Sequence, residues 1–237
     1  MTSVNILSGG AAQGLIKSLA PVYKSETGLD IEGEFGAVGA MAEKLRTGRP
    51  TDIVILTQAL VAALAKERLV EPSSIRNVGL VETALAVRAG DPKVSAPDRA
   101  ILRKNFLAAD AIYVPDTKAS TAGIHVNRVL EALGILGEVE SRLKIYPNGA
   151  TAMRHLAEST AKHPLGCTQA TEINNAPGVV LCGALPPGYD LATMYTAAIA
   201  TRAGRPHEAQ TLLDLLVSPE RGELRARAGF LKAAAAE

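Results

Sequence analysis

The chain has 237 residues, enough for one large domain or two small ones that fold unaided. A formal net charge of +1 and only 3% aromatic residues exclude the basic, base-stacking surface of a nucleic-acid-binding protein. Almost half the residues are apolar, chiefly Ala, Leu, Val and Ile. That composition excludes a disordered chain and fits helices packed on a Val/Ile-rich sheet better than an all-β sandwich.

Short apolar runs alternate with helical patterns along most of the length. Val4–Leu7 reads as a first strand, and Ala12–Thr27 as a helix with Leu15, Ile16, Leu19 and Val22 at helical spacing, stopped by Gly28. Strand Leu29–Phe35, helix Ala40–Thr47, strand Asp52–Leu56 and helix Gln58–Glu67 follow. Val81–Arg88 reads as a strand running into the turn Gly90-Asp91-Pro92. Next come helix Asp98–Leu107, strand Ala111–Val114, helix Thr121–Leu133, strand Leu143–Tyr146 and helix Ala150–Ser159. Leu165–Thr168, Val179–Cys182 and Met194–Thr201 are further strands. Glu208–Val217 and Pro219–Ala228 are the last helices, before an Ala-rich tail expected to fray. Strand–helix alternation of this kind predicts mostly parallel sheets covered on both faces. A single sheet with so many strands would be large, so two α/β lobes are expected, with chain crossings near 83–88 and 188–193.

Several other features bound the function. Val4-Asn5-Ile6-Leu7 begins almost at once, with no basic region, apolar core or cleavage site of an export signal before it. No stretch has the length of a membrane span. As written the chain reads as cytoplasmic, or as periplasmic where a signal peptide has been removed. Cys167 and Cys182 are too few for a disulfide framework and read as free, buried thiols. His125, His155, His163 and His207 are scattered and no metal-ligand spacing occurs, so neither a metal nor a cofactor is expected. Arg225 and Arg227 read as a solvated helix face.

In open α/β sheets ligands sit beyond the carboxyl ends of the strands, where helix N-termini offer free N–H groups and partial positive charge to anions. Four loops have that composition: Ser8-Gly9-Gly10-Ala11, Gly36-Ala37-Val38-Gly39, Lys118-Ala119-Ser120-Thr121-Ala122-Gly123 and Asn148-Gly149-Ala150-Thr151. Each also reads as an ordinary strand-to-helix turn, and Ser120 or Thr121 as a helix cap. Thr168 and Gln169 place polar groups just after an apolar strand. Glu172 reads either as a helix-starting carboxylate or as a functional one. Arg154, one turn into its helix, can pair with a carboxylate or face solvent.

These loops carry a resemblance. Phe35-Gly36-Ala37-Val38-Gly39-Ala40-Met41 looks like the ligand loop and following helix of the molybdate-binding proteins, the substrate-binding components of ABC transporters. Thr47-Gly48-Arg49-Pro50-Thr51-Asp52-Ile53 looks like that family's strand entry, Ser120-Thr121-Ala122-Gly123 like its helix start, and Leu212–Phe230 like its last helices. The resemblance implies a type II periplasmic-binding-protein fold of class α/β. Its two lobes would span 1–85 with 191–237, and 86–190. Each would be a mixed, mostly parallel sheet flanked by helices, with the ligand cleft between them and a hinge that closes. An ABC permease is the implied partner of an exported chain.

Departures from the pattern redirect the ligand. Members of the family hold molybdate with hydroxyls from the first two loops and a Tyr of the second lobe. Here Ala37-Val38-Gly39 has no hydroxyl, Gln169 stands at the position resembling the Tyr, and Ser8 alone keeps a hydroxyl. A bare oxyanion buried without donors is costly, so a small organic carboxylate is the expected ligand. Its expected contacts are Ser8, Gly9, Gly10, Val38, Gly39, Ser120, Thr121, Asn148, Thr151, Arg154, Thr168 and Gln169. The sequence is also similar to the aconitate-isomerase branch of this fold. That similarity implies an alternative, a cofactor-free isomerase moving an allylic proton of an unsaturated carboxylic acid. Glu172 or His125 would be its base, and the N–H groups of Gly9, Gly39 and Thr121 would stabilise the developing charge.

Overall fold

A computed structural model describes residues 3–232, and the Ala-rich tail at 233–237 lies outside them. The order begins β1 (Ser3–Gly9), α1 (Gln13–Thr27), β2 (Asp30–Gly36), α2 (Val38–Arg46), β3 (Ile53–Thr57), α3 (Gln58–Lys66) and β4 (Arg76–Arg88). It continues through α4 (Arg99–Ala108), β5 (Ala111–Pro115), α5 (Thr121–Ala132), α6 (Leu136–Val139), β6 (Leu143–Tyr146), α7 (Gly149–Ala157), β7 (Pro164–Gln169) and α8 (Ala170–Asn174). It ends with β8 (Val179–Ala184), β9 (Ala192–Ile199), α9 (Pro206–Val217) and α10 (Gly222–Ala228). The chain divides into two compact units. One holds the residues up to Val81 and those from Thr193 on, and the other is Glu82–Ala192.

In the first unit β1 pairs in parallel with β2 on one side and β3 on the other, and β9 runs antiparallel to β3. The parallel pairs are joined through α1 and α2, as crossover connections require. Val4 and Ile6 of β1, all of Ile53–Leu56 and Ala197–Ala198 of β9 are buried, because helices cover both faces. α1 turns Leu15, Ile16, Leu19 and Tyr23 into this core. Each large side chain so buried contributes roughly 1.5–3 kcal/mol. Gly28 ends α1 at φ 73°, a left-handed cap that costs glycine little. Asp52, just before β3, is buried and its two carboxylate oxygens accept from Asn5 N (2.8 Å) and Arg205 N (2.9 Å). One side chain thus ties β1, β3 and the start of α9.

In the second unit β7 and β6 flank β5 in parallel, while β4 runs antiparallel to both β7 and β8. Period-2 alternation sorts its strands onto two faces. Leu85, Val87, Ile112, Val114, Leu165 and Cys167 join the core under α4, α5 and α6. Ala84, Ala86, Ala111 and Tyr113 join the core under α7 and α8. The second face uses small residues because α7 lies close to it: a Cβ on Gly166 would come within 2.7 Å of Leu156 and Met153. Both cysteines are free. Cys167 is buried as expected, but Cys182 is only half-buried. β4 separates them, with Leu85 facing Cys167 on one side and Gly183 on the other.

Four elements differ from the sequence reading. β4 begins at Arg76, five residues before the expected Val81, since Arg76, Asn77 and Gly79 hide the apolar pattern. Thr196 Oγ1 donates to Asn77 Oδ1 (2.9 Å), and Leu80 bridges Leu231, holding this first stretch in place. α6 and α8 have four and five residues, too short for a helical period to register. The last expected helix opens as a 3-10 turn at Pro219–Arg221 and becomes α-helical only from Gly222.

Candidate functional site

In the first unit the register of β1 and β2 sets Gly9 beside Gly36, so the first two candidate loops leave the same end of the sheet side by side. The corner at Gly9 is closely packed. A Cβ there would lie 2.7 Å from Val38 Cγ1 and 2.9 Å from Tyr195 Cε1. Only glycine fits, and the wall beside it is the Val38 methyl and the Tyr195 ring, whose hydroxyl lies 3.4 Å from that Cβ position. Ser8 is fully buried, and its hydroxyl donates to Gly9 O at 2.9 Å. Ala37 caps α2 and has no side chain of its own that could bond the N–H groups of that first turn. Gly39 is exposed, and a Cβ on it would meet nothing within 4 Å. Gly10 opens the 3-10 turn that leads into α1.

Tyr195 was missed by sequence reasoning. It stands on β9 opposite Thr57 of β3, buried, with its ring edge-on to Phe230 at 6.3 Å. The available signal was a lone aromatic in an otherwise small-residue strand of an aromatic-poor chain.

In the second unit the loop after β5 folds tightly on itself. Asp116 Oδ1 accepts from Lys118 N (2.7 Å) and Ala119 N (2.9 Å), and Ser120 N donates to Asp116 O. Ser120 is the N-cap residue of α5 without a side-chain bond, so its hydroxyl does not serve as the cap, and Thr121 begins the helix half-buried. Gly123 allows α5 to start hard against the strand end, since a Cβ there would lie 2.1 Å from Asp116 O.

The loop after β6 is organised differently. Asn148 caps α7 with its own side chain, Oδ1 accepting from Thr151 N at 2.8 Å. The remaining N–H groups of that turn face Glu172. This carboxyl group is buried, accepts the Thr168 hydroxyl at 2.6 Å, and faces the backbone N–H groups of Gly149, Gln169 and Ala150. Its bond from Gln169, the residue before α8, is one half of a capping box. Burial pushes the Glu172 pKa up, and these four donors pull it the other way; burial wins. One carboxyl group thus serves the N-termini of both α7 and α8.

The remaining expected residues lie on three elements of the second unit. Thr168 and Gln169 are buried at the end of β7. Arg154 is exposed on α7. His125, on α5, donates from Nε2 to Tyr189 O at 2.8 Å, which anchors the segment after β8. Among the described residues no three His, Cys, Asp or Glu side chains come together as a metal-ligand group. No helix among them is long and apolar enough to cross a membrane.

Residues 4–231 match the model of the bacterial extracellular solute-binding protein family. The chain belongs to that family. This solute-binding protein shares its fold with the periplasmic molybdate-binding protein of Azotobacter vinelandii, at a TM-score of 0.81 and 17% identity over 98% of this chain and 100% of that one. It is also similar to the sulfate-binding protein SubI of Mycobacterium tuberculosis, at a TM-score of 0.74 and 17% identity over 99% and 88% of the two chains. These likenesses establish the type II periplasmic-binding-protein fold expected from the loops. In sequence the solute-binding protein is 25% identical to an aconitate isomerase of a Pseudomonas species, over 93% of this chain and 84% of that protein.

Proposed function

We propose that this solute-binding protein takes a small organic carboxylate as its ligand. The observation that carries the reading is the corner at Gly9. Its Ser8 hydroxyl is buried and turned to Gly9 O, while the Val38 methyl and the Tyr195 ring put carbon beside Gly9, with the Tyr195 hydroxyl at the edge of that wall. A bare oxyanion needs donors on every side. A carboxylate needs them at one end and puts carbon against the wall. In the first unit the proposed contacts are the N–H groups of Gly9, Gly10, Val38 and Gly39. In the second unit Asn148, Thr151, Thr168 and Glu172 hold the ends of α7 and α8. The named relatives that bind molybdate and sulfate support an anion as the ligand class. In an exported chain the loaded protein would deliver its solute to an ABC permease.

Calorimetry with a panel of small carboxylates, molybdate and sulfate tests this. One or more carboxylates should bind, and Gly39→Trp should abolish that binding with the fold intact, since Gly39 faces open space. Molybdate or sulfate binding more tightly than every carboxylate would overturn the assignment.

The likeness to an aconitate isomerase favours a second reading, in which the same carboxylate undergoes an allylic proton shift. Glu172, whose raised pKa suits proton exchange, is the candidate base. Proton NMR with cis- and trans-aconitate in D₂O decides it. Loss of a carbon-bound proton or appearance of the second isomer establishes the enzyme, and unchanged spectra dismiss it.

A further inference from the structure

Arg225 does not belong to the solvated helix face that its sequence neighbourhood suggests. Gly222, Arg225 and Ala226 stand at i, i+3 and i+4 on α10 and so share one face. That face lines a cavity of about 580 Å³, whose other walls include Val78, Val217, Phe230 and Leu231. Arg225 Nη1 donates to Leu216 O (3.0 Å) and Ser218 O (2.8 Å), which fixes the guanidinium at the C-terminus of α9. Its Nε and Nη2 have no partner among the described residues. Partial burial holds the guanidinium below its usual pKa, with no carboxylate acting against that shift. Among the described residues, the other charged one on the wall is Lys232, and no Asp or Glu lines the cavity.

A half-buried cation with spare donors beside an apolar surface is complementary to an amphiphilic anion. The planar guanidinium edge matches a carboxylate in two-point contact. We propose that this cavity binds a monocarboxylate with a short apolar chain, its carboxylate on Nε and Nη2 of Arg225 and its chain along Val78, Val217, Phe230 and Leu231. The site is independent of the loops proposed above for the solute, and it shares no residue with them. Its volume falls in the range of small-molecule sites and leaves ample room for such an acid.

The test is an amide NMR titration of the full chain with hexanoate, 1-hexanol and hexylamine as probes. Hexanoate should shift the signals of 78–79, 222–226 and 230–231. 1-Hexanol should bind there about tenfold more weakly, the usual worth of a charge-assisted hydrogen bond. Hexylamine should not bind, and added salt should weaken hexanoate alone. Ala226→Trp, an exposed position on the cavity wall, should block the site. Arg225→Gln should make hexanoate and 1-hexanol equal; should that variant fail to fold, the three probes on the natural chain still decide. Equal binding of hexanoate and 1-hexanol to the natural chain overturns the role of Arg225. Shifts confined to residues 8–10, 37–39 or 120–121, or no shifts at all, overturn the site.

Discussion

Gly149 and Glu172 are locked together: a Cβ on Gly149 would lie 1.9 Å from Glu172 Oε2 and 2.2 Å from Thr168 Oγ1. The glycine at the start of α7 therefore lets a buried carboxyl group reach that helix end. Gly149→Ala should force the carboxyl away from its donors and leave a buried polar group poorly met. Overpacking of this kind costs about 1–3 kcal/mol, and lost hydrogen bonds add to it. Urea unfolding should show a lower midpoint with an unchanged slope. A change within about 0.5 kcal/mol, the range of ordinary surface substitutions, would mean that the contact is not tight.

The same carboxyl group gives stability a pH dependence. Its folded pKa is raised by burial, so the folded protein holds this proton to higher pH than the unfolded chain does. The associated stability is fully present below the unfolded glutamate value, about 4.3, and is lost as pH rises through the higher folded value. Glu172→Gln removes that titration. The unfolding free energy of the natural chain, minus that of the Gln variant, should fall as pH rises across this window. A difference that stays flat or rises would refute the direction of the shift.

At Gly9 the packing partners are named, which allows a coupling test. Gly9→Ala should destabilise the first unit by about 1–3 kcal/mol, because the new methyl group meets Val38 and Tyr195. Val38→Ala removes the nearer of these two. The double variant should be more stable than the sum of the single losses predicts, by at least about 0.5 kcal/mol. Strict additivity would show that Val38 is not what confines residue 9.

Much of the first unit was legible because its signals are local. The β1–α1 and β2–α2 alternation, Gly28 as a stop and Asp52 at the entry to β3 all lie within a few residues of the feature they define. What Asp52 does was not legible, since one of its partners, Arg205, lies 153 residues away. Glu172 could be read as a helix-starting carboxylate, and in part it is. Its hold on Gly149 and Ala150 depends on α7 and α8 meeting, which no sequence period reports. Tyr195 was invisible as a site residue for the same reason: β9 pairs with β3 from the far end of the chain. Arg225 misled because its charged neighbours, Glu223 and Arg227, do face outward as a solvated helix would.

The two thiols should separate cleanly in reactivity. Cys167 is fully buried, and burial alone pushes its pKa up to about 12, so almost none of it is thiolate at neutral pH. Cys182 is half-buried on β8. A disulfide reagent should therefore titrate one thiol in the folded protein and two in denaturant. Mass mapping should place the fast label on Cys182. Slow labelling of Cys167 should track opening of the second unit, because β7 lies between β4 and β5 and its core side is covered by α4 and α5. Destabilising that unit with Gly149→Ala should speed the labelling of Cys167 while leaving the Cys182 rate unchanged. Rapid labelling of both thiols in the native protein would contradict the burial of β7.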